Sequence, residues 1–294
     1  MHQRIRQPRP ETSEDSSPGR LDGSATECED EPVRPPLSVA IMCKNADRTI
    51  ERTLQAVTGW ADETVAVDSG STDRTLELLA GYGCRIIQTE WKGFVRTRQE
   101  SIDACLHDWV LCLDADESPD ETMRRSIDAF LAAEEPLGER GAAGAMLNRM
   151  IWYDGRPLRH AWQPERRLRL IHRGRARSGG LDPHAELVPN DRHARVGLVE
   201  GTLRHDSFET FADQLRKDLH YAKVMARSLR ERGVRGRCWR IATSPVGAFV
   251  KQMLIKQAWR DGWPGWCAAA STAAATLAKH IMLVERTHRE GVDD

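Results

Sequence analysis

The sequence lacks every cysteine spacing typical of a metal finger, and it contains no CxxC pair. Its seven cysteines are scattered, odd in number and partly placed in apolar runs, as buried hydrophobic thiols are. The N-terminus has no apolar signal-peptide core, and no uncharged apolar run approaches the ~20 residues that cross a bilayer. These absences favour a reduced chain on the cytoplasmic side of the membrane.

An excess of charge of either sign is also absent, because the formal net charge is -1. Nucleic-acid phosphates demand a basic surface, so we expect no nucleic-acid partner. Hydrophobic residues make up 40% of the 294 residues, which is enough for a core. This length allows one large α/β domain with appendages, or two small domains.

Large apolar residues are almost missing from residues 1–36, which are rich in Pro, Ser, Glu, Asp and Arg. Such a segment buries too little surface to offset its ordering entropy, so we expect a disordered N-terminal tail. Beyond it, short apolar runs alternate with helical periodicities. The predicted strands are 37–43, 65–67, 85–88 and 109–113.

This alternation predicts a mostly parallel sheet flanked by helices. Ligands of such sheets bind at the carboxyl ends of the strands. Asn45, Asp68 and Asp114 each follow a predicted strand, so we expect one crevice to gather them. Later strands are predicted at 145–151, 167–172 and 196–204, and the remaining periodicity is helical, including a helix capped by Ser244-Pro245.

Two carboxylates follow the fourth strand, in the run Leu113-Asp-Ala-Asp-Glu117. Asp114 and Asp116 are spaced to reach one hard cation, directly or through its water. Mg²⁺ and Mn²⁺ prefer oxygen ligands and commonly bridge carboxylates to substrate phosphates. Such an ion would act as a Lewis acid on a departing nucleoside diphosphate. The alternative is that these acids only solvate the strand end and cap the next helix.

A second polar turn follows the second strand, in the run Val67-Asp-Ser-Gly-Ser-Thr-Asp73. Asp68 leaves the strand and is available to accept hydrogen bonds from the base or ribose of a nucleotide. An ordinary strand-turn-helix junction is the alternative, and it explains Gly70 and Thr72 equally well.

Four segments together resemble, in order and spacing, the family 2 glycosyltransferases: Cys43-Lys-Asn45, the Asp68 turn, Gly93 to Gln99 and the Asp114 motif. The likeness points to the branch of lipopolysaccharide core-biosynthesis enzymes. It implies a GT-A fold over residues 37–206, with a donor half at 37–135 and an acceptor half at 136–206. A C-terminal helical region at 207–294 would follow. The implied enzyme is a hexosyltransferase of the cell envelope that inverts the anomeric centre.

The resemblance also implies ligands and roles. The expected donor is a nucleotide sugar, commonly a UDP-sugar, and the expected acceptor is a glycolipid, lipopolysaccharide core or polysaccharide. The expected cofactor is Mg²⁺ or Mn²⁺. The positions that match donor-site or metal-site residues of the family are Asn45, Asp68, Arg98, Gln99, Asp114 and Asp116.

An inverting transfer needs a general base near the acceptor hydroxyl, usually a carboxylate. The candidates lie in Gly180-Leu-Asp-Pro-His-Ala-Glu186. The related branch carries a His followed immediately by an acid, whereas Ala185 follows His184 in this sequence. Asp182 or Glu186 must therefore serve, and we favour Asp182 because Asp-Pro-His resembles a variant of the family pattern. A turn held by Asp182 is the alternative.

Two further residues are candidates for the donor site. His205 ends a predicted strand, and many GT-A enzymes use a late His on the metal or pyrophosphate. Arg169, with Arg166 and Arg167, alternates with leucines along a strand, and arginines clamp phosphates bidentately. The alternatives are a satisfied structural histidine and a solvated strand face.

The C-terminal helices place Trp259, Trp263 and Trp266 near Lys251, Lys256 and Arg260. Aromatic residues beside cations suit a membrane interface, and they also suit ordinary helix packing. Because the resembled family often uses lipid-linked acceptors, we expect peripheral contact with the cytoplasmic face of the inner membrane.

Two other function classes compete. A sugar-nucleotide nucleotidyltransferase also uses an α/β sheet and carboxylate-bound Mg²⁺, but its Gly-rich phosphate loop has no counterpart in Cys43 to Asp47. A catalytically degenerate scaffold would not need Asp68, Asp114 and Asp116 intact. Metal-dependent release of a nucleoside diphosphate distinguishes the three.

Overall fold

The computed structural model describes residues 34–134, 140–181 and 184–290 of the chain. Its first part alternates strands with helices. The strands are β1 (Leu37–Cys43), β2 (Glu63–Asp68), β3 (Arg85–Gln88), β4 (Trp109–Asp114) and β5 (Glu117–Pro119). The helices are α1 (Ile50–Val57), α2 (Thr75–Gly81), α3 (Phe94–Asp103) and α4 (Glu121–Glu134).

The first four strands form the parallel part of the sheet, as the sequence predicts. β1 lies between β2 and β4, β3 pairs with β2, and all three pairings are parallel. In this register Cys43 lies opposite Asp68, and Met42 lies opposite Asp114. The carboxyl ends of β1, β2 and β4 therefore align along one edge of the sheet.

The second part continues the same sheet. Its strands are β6 (Gly144–Tyr153), β7 (Arg156–Pro157), β8 (Arg166–His172), β9 (Ala176–Leu181), β10 (His184–Pro189), β11 (Val196–Leu198) and β12 (Leu203–His205). β8 lies antiparallel between β4 and β6 and so joins the two parts. The single strand predicted at 196–204 is two strands, because Val196 and Leu203 pair with separate places on β6. β9 and β10 form a separate hairpin.

The sheet is covered by apolar side chains on both faces, and every residue of β1 is buried. Burial on both faces is the expected state of a parallel strand in an α/β sheet, and it explains the continuous apolar run of β1. The fully buried large side chains include Leu37, Ile41, Ile50, Leu54, Leu111, Leu113, Met123 and Ile127.

Three helices follow the sheet: α5 (Phe211–Glu231), α6 (Trp239–Val250) and α7 (Trp263–Glu290). A π-helical turn (Lys251–Ile255) and a 3₁₀ turn (Ala258–Asp261) lie between α6 and α7. The cap predicted at Ser244 is wrong, because the bonds from Arg240 N to Arg237 O and from Ile241 N to Cys238 O (both 3.0 Å) start the helix earlier. Pro245 therefore lies inside α6.

In the described part of the chain, α7 is the one helix long and apolar enough to cross a membrane, judged by length and composition alone. It packs against α5 and α6, and Ala268, Ala269 and Leu283 are buried there. Only 28% of its apolar window is buried inside the protein, and one such helix is weak evidence for a membrane span.

Candidate active site

The candidate site lies where β1, β2 and β4 end. Neighbouring strands are about 4.8 Å apart, so Asp68 and Asp114, on the two sides of β1, lie roughly 10 Å from each other. The structure thus brings Asn45, Asp68 and Asp114 to one edge of the sheet, as predicted from the strand ends.

Asp68 is fully buried and its carboxylate is used within its own turn. Oδ2 accepts hydrogen bonds from the backbone N–H groups of Gly70 (3.0 Å) and Ser71 (2.9 Å), and Oδ1 accepts from the Ser71 hydroxyl. Gly70 has a φ of +86°, which a residue with a side chain adopts reluctantly. These bonds give Asp68 the turn-closing role that the sequence left open as the alternative.

Asn45 joins the end of β1 to the same turn. Its backbone N–H donates to Ser71 Oγ (2.8 Å), and its Oδ1 accepts from the Thr72 N–H (2.8 Å). Asn45 is exposed and has a φ of +49°, a conformation that Asn tolerates better than most residues. The pair of loops is therefore fixed as one rim of the crevice.

Asp114 is held by two guanidinium groups that come from different elements. Arg98, buried on α3, pairs with Oδ1 and also donates to the Leu113 carbonyl (2.9 Å). Arg169 on β8 pairs with Oδ2 at 2.7 Å. Burial raises the pKa of the Asp114 carboxyl, but the charges of Arg98 and Arg169 outweigh it and hold this pKa far below its usual range. Asp114 is therefore ionised with both oxygens paired.

Glu117 lies behind Asp114 and is completely buried. Its Oε1 accepts from Arg169 (2.6 Å) and Arg149 (3.2 Å), and its Oε2 accepts from the Asp114 N–H (3.1 Å). Arg149 also pairs with Glu165 at 2.5 Å. Burial lowers the pKa of Arg169, but the neighbouring Glu117 and Asp114 charges more than reverse this. The interior of the site is a network of alternating charges, and Glu117 and Arg149 were missing from the residues predicted for it.

Asp116 and His205 form a partly exposed pair beside Asp114, whose own side chain is 32% exposed. His205 Nε2 lies 3.4 Å from Asp116 Oδ2, and the two side chains are 12% and 23% exposed. β12 pairs antiparallel with β5, which brings His205 opposite Glu117, and the Asp206 N–H donates to the Asp116 carbonyl (2.9 Å). Burial raises the pKa of Asp116, whereas His205 lowers it more, and the net shift is downward.

This pair suits a divalent cation that also binds a substrate. Neighbouring ligands of an octahedral ion with bonds of about 2.1 Å lie roughly 3 Å apart, close to the Asp116–His205 separation. Among the described residues no group of three or more His, Cys, Asp or Glu side chains is arranged to hold a metal ion. An ion at this pair would therefore take its other ligands from water and phosphate, as Mg²⁺ often does.

The other predicted site residues lie elsewhere or outside the described part. Gln99 binds Asp103 Oδ1 (2.7 Å) and accepts from the Ser178 N–H (2.9 Å), so it ties α3 to β9. Glu186 is exposed on β10, 3.7 Å from Arg167. His184 begins β10, and Asp182 lies outside the described residues. Their roles at the acceptor stay predictions.

A cavity of about 490 Å³, within the size range of ligand sites, is lined by Arg204 and Asp206, the residues on either side of His205 in the chain. Asp206 lines it and pairs with Arg52 (2.9 Å) and Arg204 (2.8 Å). The Arg204 guanidinium lies 4.9 Å from the ring centroid of Trp152, another lining residue. These lining residues were not predicted for the site. The sequence signals that could have indicated them are the position of Arg204 and Asp206 beside His205 and the position of Trp152 near the end of β6.

A mostly parallel sheet with carboxylates at its strand ends is the arrangement expected of a glycosyltransferase of GT-A fold. The model of the family "Glycosyl transferase family 2" matches residues 38–181. The lipopolysaccharide core biosynthesis glycosyltransferase LpsC of Rhizobium meliloti is 30% identical over 275 residues, covering 88% of this chain and 97% of LpsC. The chain belongs to glycosyltransferase family 2, and it is an enzyme of sugar transfer.

Another curated relative and two solved structures are also similar to this chain. An uncharacterized glycosyltransferase of Rickettsia typhi is 26% identical and covers 85% of this chain and 87% of its own. Residues 1–349 of TarS from S. aureus align with a TM-score of 0.43 and 15% identity, over 87% of this chain and 92% of that one. Glucosyl-3-phosphoglycerate synthase of Mycobacterium tuberculosis, solved with Mn²⁺, UDP and glucosyl-3-phosphoglycerate, has a TM-score of 0.30 and 22% identity, over 41% and 45%.

Proposed function

We propose that the protein is an inverting glycosyltransferase that moves a sugar from a nucleotide sugar, with UDP as the expected nucleotide, to a hydroxyl of lipopolysaccharide core or a related glycolipid. The similarity to LpsC along nearly its whole length supports this acceptor class. The reaction is assigned to the cytoplasmic side, where the six described cysteines, all free, would stay reduced.

The observation that carries the proposal is the partly exposed pair of Asp116 and His205 beside the ion-paired Asp114. Asp116 and His205 would hold Mg²⁺ or Mn²⁺, and the ion would neutralise the charge of the departing diphosphate. In this geometry Asp114 has both oxygens paired, so we assign it to shaping the site and not to direct ligation.

The protein groups divide the work between the two substrates. Arg98 and Arg169 fix Asp114, and this carboxylate keeps the strand end in place for the donor. The cavity lined by Trp152 and Arg204 supports an acceptor sugar, because an aromatic face and charged side chains are common in carbohydrate recognition. Asp182 is the proposed base, with Glu186 and His184 as the other candidates, and it would remove the proton of the acceptor hydroxyl.

The first test measures release of nucleoside diphosphate from UDP-, GDP- and ADP-sugars with Mn²⁺, with Mg²⁺ and with EDTA. Asp116→Asn is compared with Asp108→Asn, a change of an acid that is 66% exposed and directly precedes β4, at the end of the strand opposite the site. We expect slow metal-dependent turnover of one donor, lost in Asp116→Asn and kept in Asp108→Asn. The absence of both turnover and donor binding by calorimetry would contradict the transferase proposal and would favour a degenerate scaffold.

A second test addresses the base, once an acceptor that supports transfer is found. Asp182→Asn is expected to lower kcat by about 10²- to 10⁴-fold, the usual contribution of a positioned general base. Glu186→Gln, on a side chain that is 59% exposed, is expected to change kcat little. The reverse ranking would transfer the role of base to Glu186.

A further inference from the structure

We propose that α6 and the two turns after it form a surface that binds an anionic lipid bilayer. The apolar side chains of this surface are Trp239, Val246, Val250, Leu254, Ile255 and Trp259, and we call it the α6 surface. All six are exposed, with Leu254 at 68% and Ile255 at 73%. Exposed apolar patches that are rimmed by charges mark membrane or protein contacts.

The α6 surface is continuous along the helix. Trp239, Val246, Val250 and Leu254 are separated by 7, 4 and 4 positions, which is the spacing of one helical face. No residue of α6 is buried. Met253 and Ala258, in the two turns after α6, contact the rest of the protein and are buried in a cluster with Tyr153 and Phe208. The region is therefore anchored to the protein on one side and turns a row of large apolar groups outward on the other.

The charge of this segment has one sign. Residues 235–260 contain six cationic residues, Arg235, Arg237, Arg240, Lys251, Lys256 and Arg260, and no Asp or Glu. In the described ranges none of these six has a carboxylate within 4.0 Å. The next acid, Asp261, is 4% exposed and accepts the backbone N–H groups of Arg159, His160 and Ala161.

Cations beside outward tryptophans fit the headgroup region of an anionic bilayer. Each Lys or Arg near such a surface is attracted by the anionic headgroups, and indole rings favour the boundary between headgroups and acyl chains. A second copy of this chain fits less well. A two-fold contact apposes the same patch on both partners, so it would bring cations of this segment against one another without carboxylates between them.

The test uses the full chain and sedimentation with vesicles of phosphatidylcholine alone or of phosphatidylcholine and phosphatidylglycerol in equal parts. We expect binding to the mixed vesicles, quenching of tryptophan fluorescence by brominated acyl chains, and weaker binding at high salt. Leu254→Ser/Ile255→Ser should weaken partition about tenfold if half of each side chain enters the apolar layer. Lys251→Gln/Arg260→Gln should weaken binding to the mixed vesicles and not to phosphatidylcholine.

The matched control is Leu106→Ser/Leu198→Ser, which removes two apolar side chains that are 70% and 53% exposed outside the α6 surface. It should bind like the wild type. Equal loss in both double variants, or equal binding of the wild type to both vesicle types, would overturn the proposal. A dimer that dissociates in Leu254→Ser/Ile255→Ser, without vesicle binding, would assign the surface to self-association. Since no sugar transfer is measured, the outcome is independent of the proposed function.

Discussion

The strand-end site buries charged side chains, whereas the α6 surface exposes apolar ones. At the site, Glu117, Arg98 and Arg169 are buried, and their charges are matched by one another and by Asp114. On α6, Val246 and Val250 are exposed and no residue is buried. A buried charge is tolerated only where oppositely charged partners surround it. An apolar side chain on the surface does not contribute to the core and is not required for folding. The conformation of the site is thus set by contacts within the protein. The side chains of the α6 surface are free to contact a partner.

The largest effect is expected from breaking the buried network at Glu117. Glu117→Ala would leave Arg169 and Arg149 without the carboxylate that they share, and removing one member of a buried pair costs about 3–5 kcal/mol. Urea unfolding at neutral pH measures this loss. Glu121→Gln, an exposed acid paired with Arg124 and Arg125, serves as the control and should unfold like the wild type. A small loss at Glu117 would mean that the arginines find other partners.

A second substitution pair compares apolar residues of the two regions. Leu113 is fully buried in β4, so Leu113→Ala should lower the free energy of unfolding by about 2–5 kcal/mol. Val246 is 62% exposed on α6, so Val246→Ala should change it by less than about 0.5 kcal/mol. Both are measured by urea unfolding. A loss at Val246 as large as that at Leu113 would show that the Val246 side chain is covered in solution.

A third change addresses the joint between the C-terminal helices and the sheet. Asp261→Ala removes the acceptor of three backbone N–H groups, at 3.0, 2.9 and 2.7 Å. The N–H groups of His160 and Ala161 are partly buried, and leaving such donors unpaired costs about 1–3 kcal/mol, which thermal unfolding would record. Asp261→Asn, which keeps one acceptor oxygen, should lose less. Equal losses would indicate that the charge of Asp261, and not its hydrogen bonds, stabilises the joint.

The sequence predicted the strand-end site better than its interior. Strand ends, turns and the spacing of Asp114 and Asp116 are local patterns, and the structure confirms the sheet that they imply. The pairing of Asp114 with Arg169 joins residues 55 positions apart, and it depends on β8 lying beside β4. No local pattern reports which strand is the neighbour. Glu117 was visible in the motif, but a charged residue is expected outside unless its partners are known.

The smallest expected effect concerns how the free energy of unfolding depends on pH, because Glu165 and Asp218 should change it in opposite directions. Burial raises the pKa of Glu165, but Arg149 and Arg167 outweigh it, so its folded-state pKa lies below the unfolded value of about 4.3. Its contribution to stability is present above that value and is lost as the pH falls. Burial raises the pKa of Asp218 on α5, despite hydrogen bonds from Ser271 and Gln214. Its contribution is present below the unfolded value of about 3.9 and is lost as the pH rises.

Two amide variants separate these responses. As the pH rises from about 3 to 5, the wild type should gain stability relative to Glu165→Gln; as it rises above about pH 4, the wild type should lose stability relative to Asp218→Asn, since each amide removes one titrating group. Urea unfolding of the three proteins across this range gives both slopes. Slopes of the same sign would mean that the α5–α7 contact is stabilised by an ionised Asp218, as the site is by ionised Glu165. In that case α5 and α7 would be stabilised by a charged side chain, as the sheet is. They would then not share the preference for uncharged contacts that we infer for the helical region.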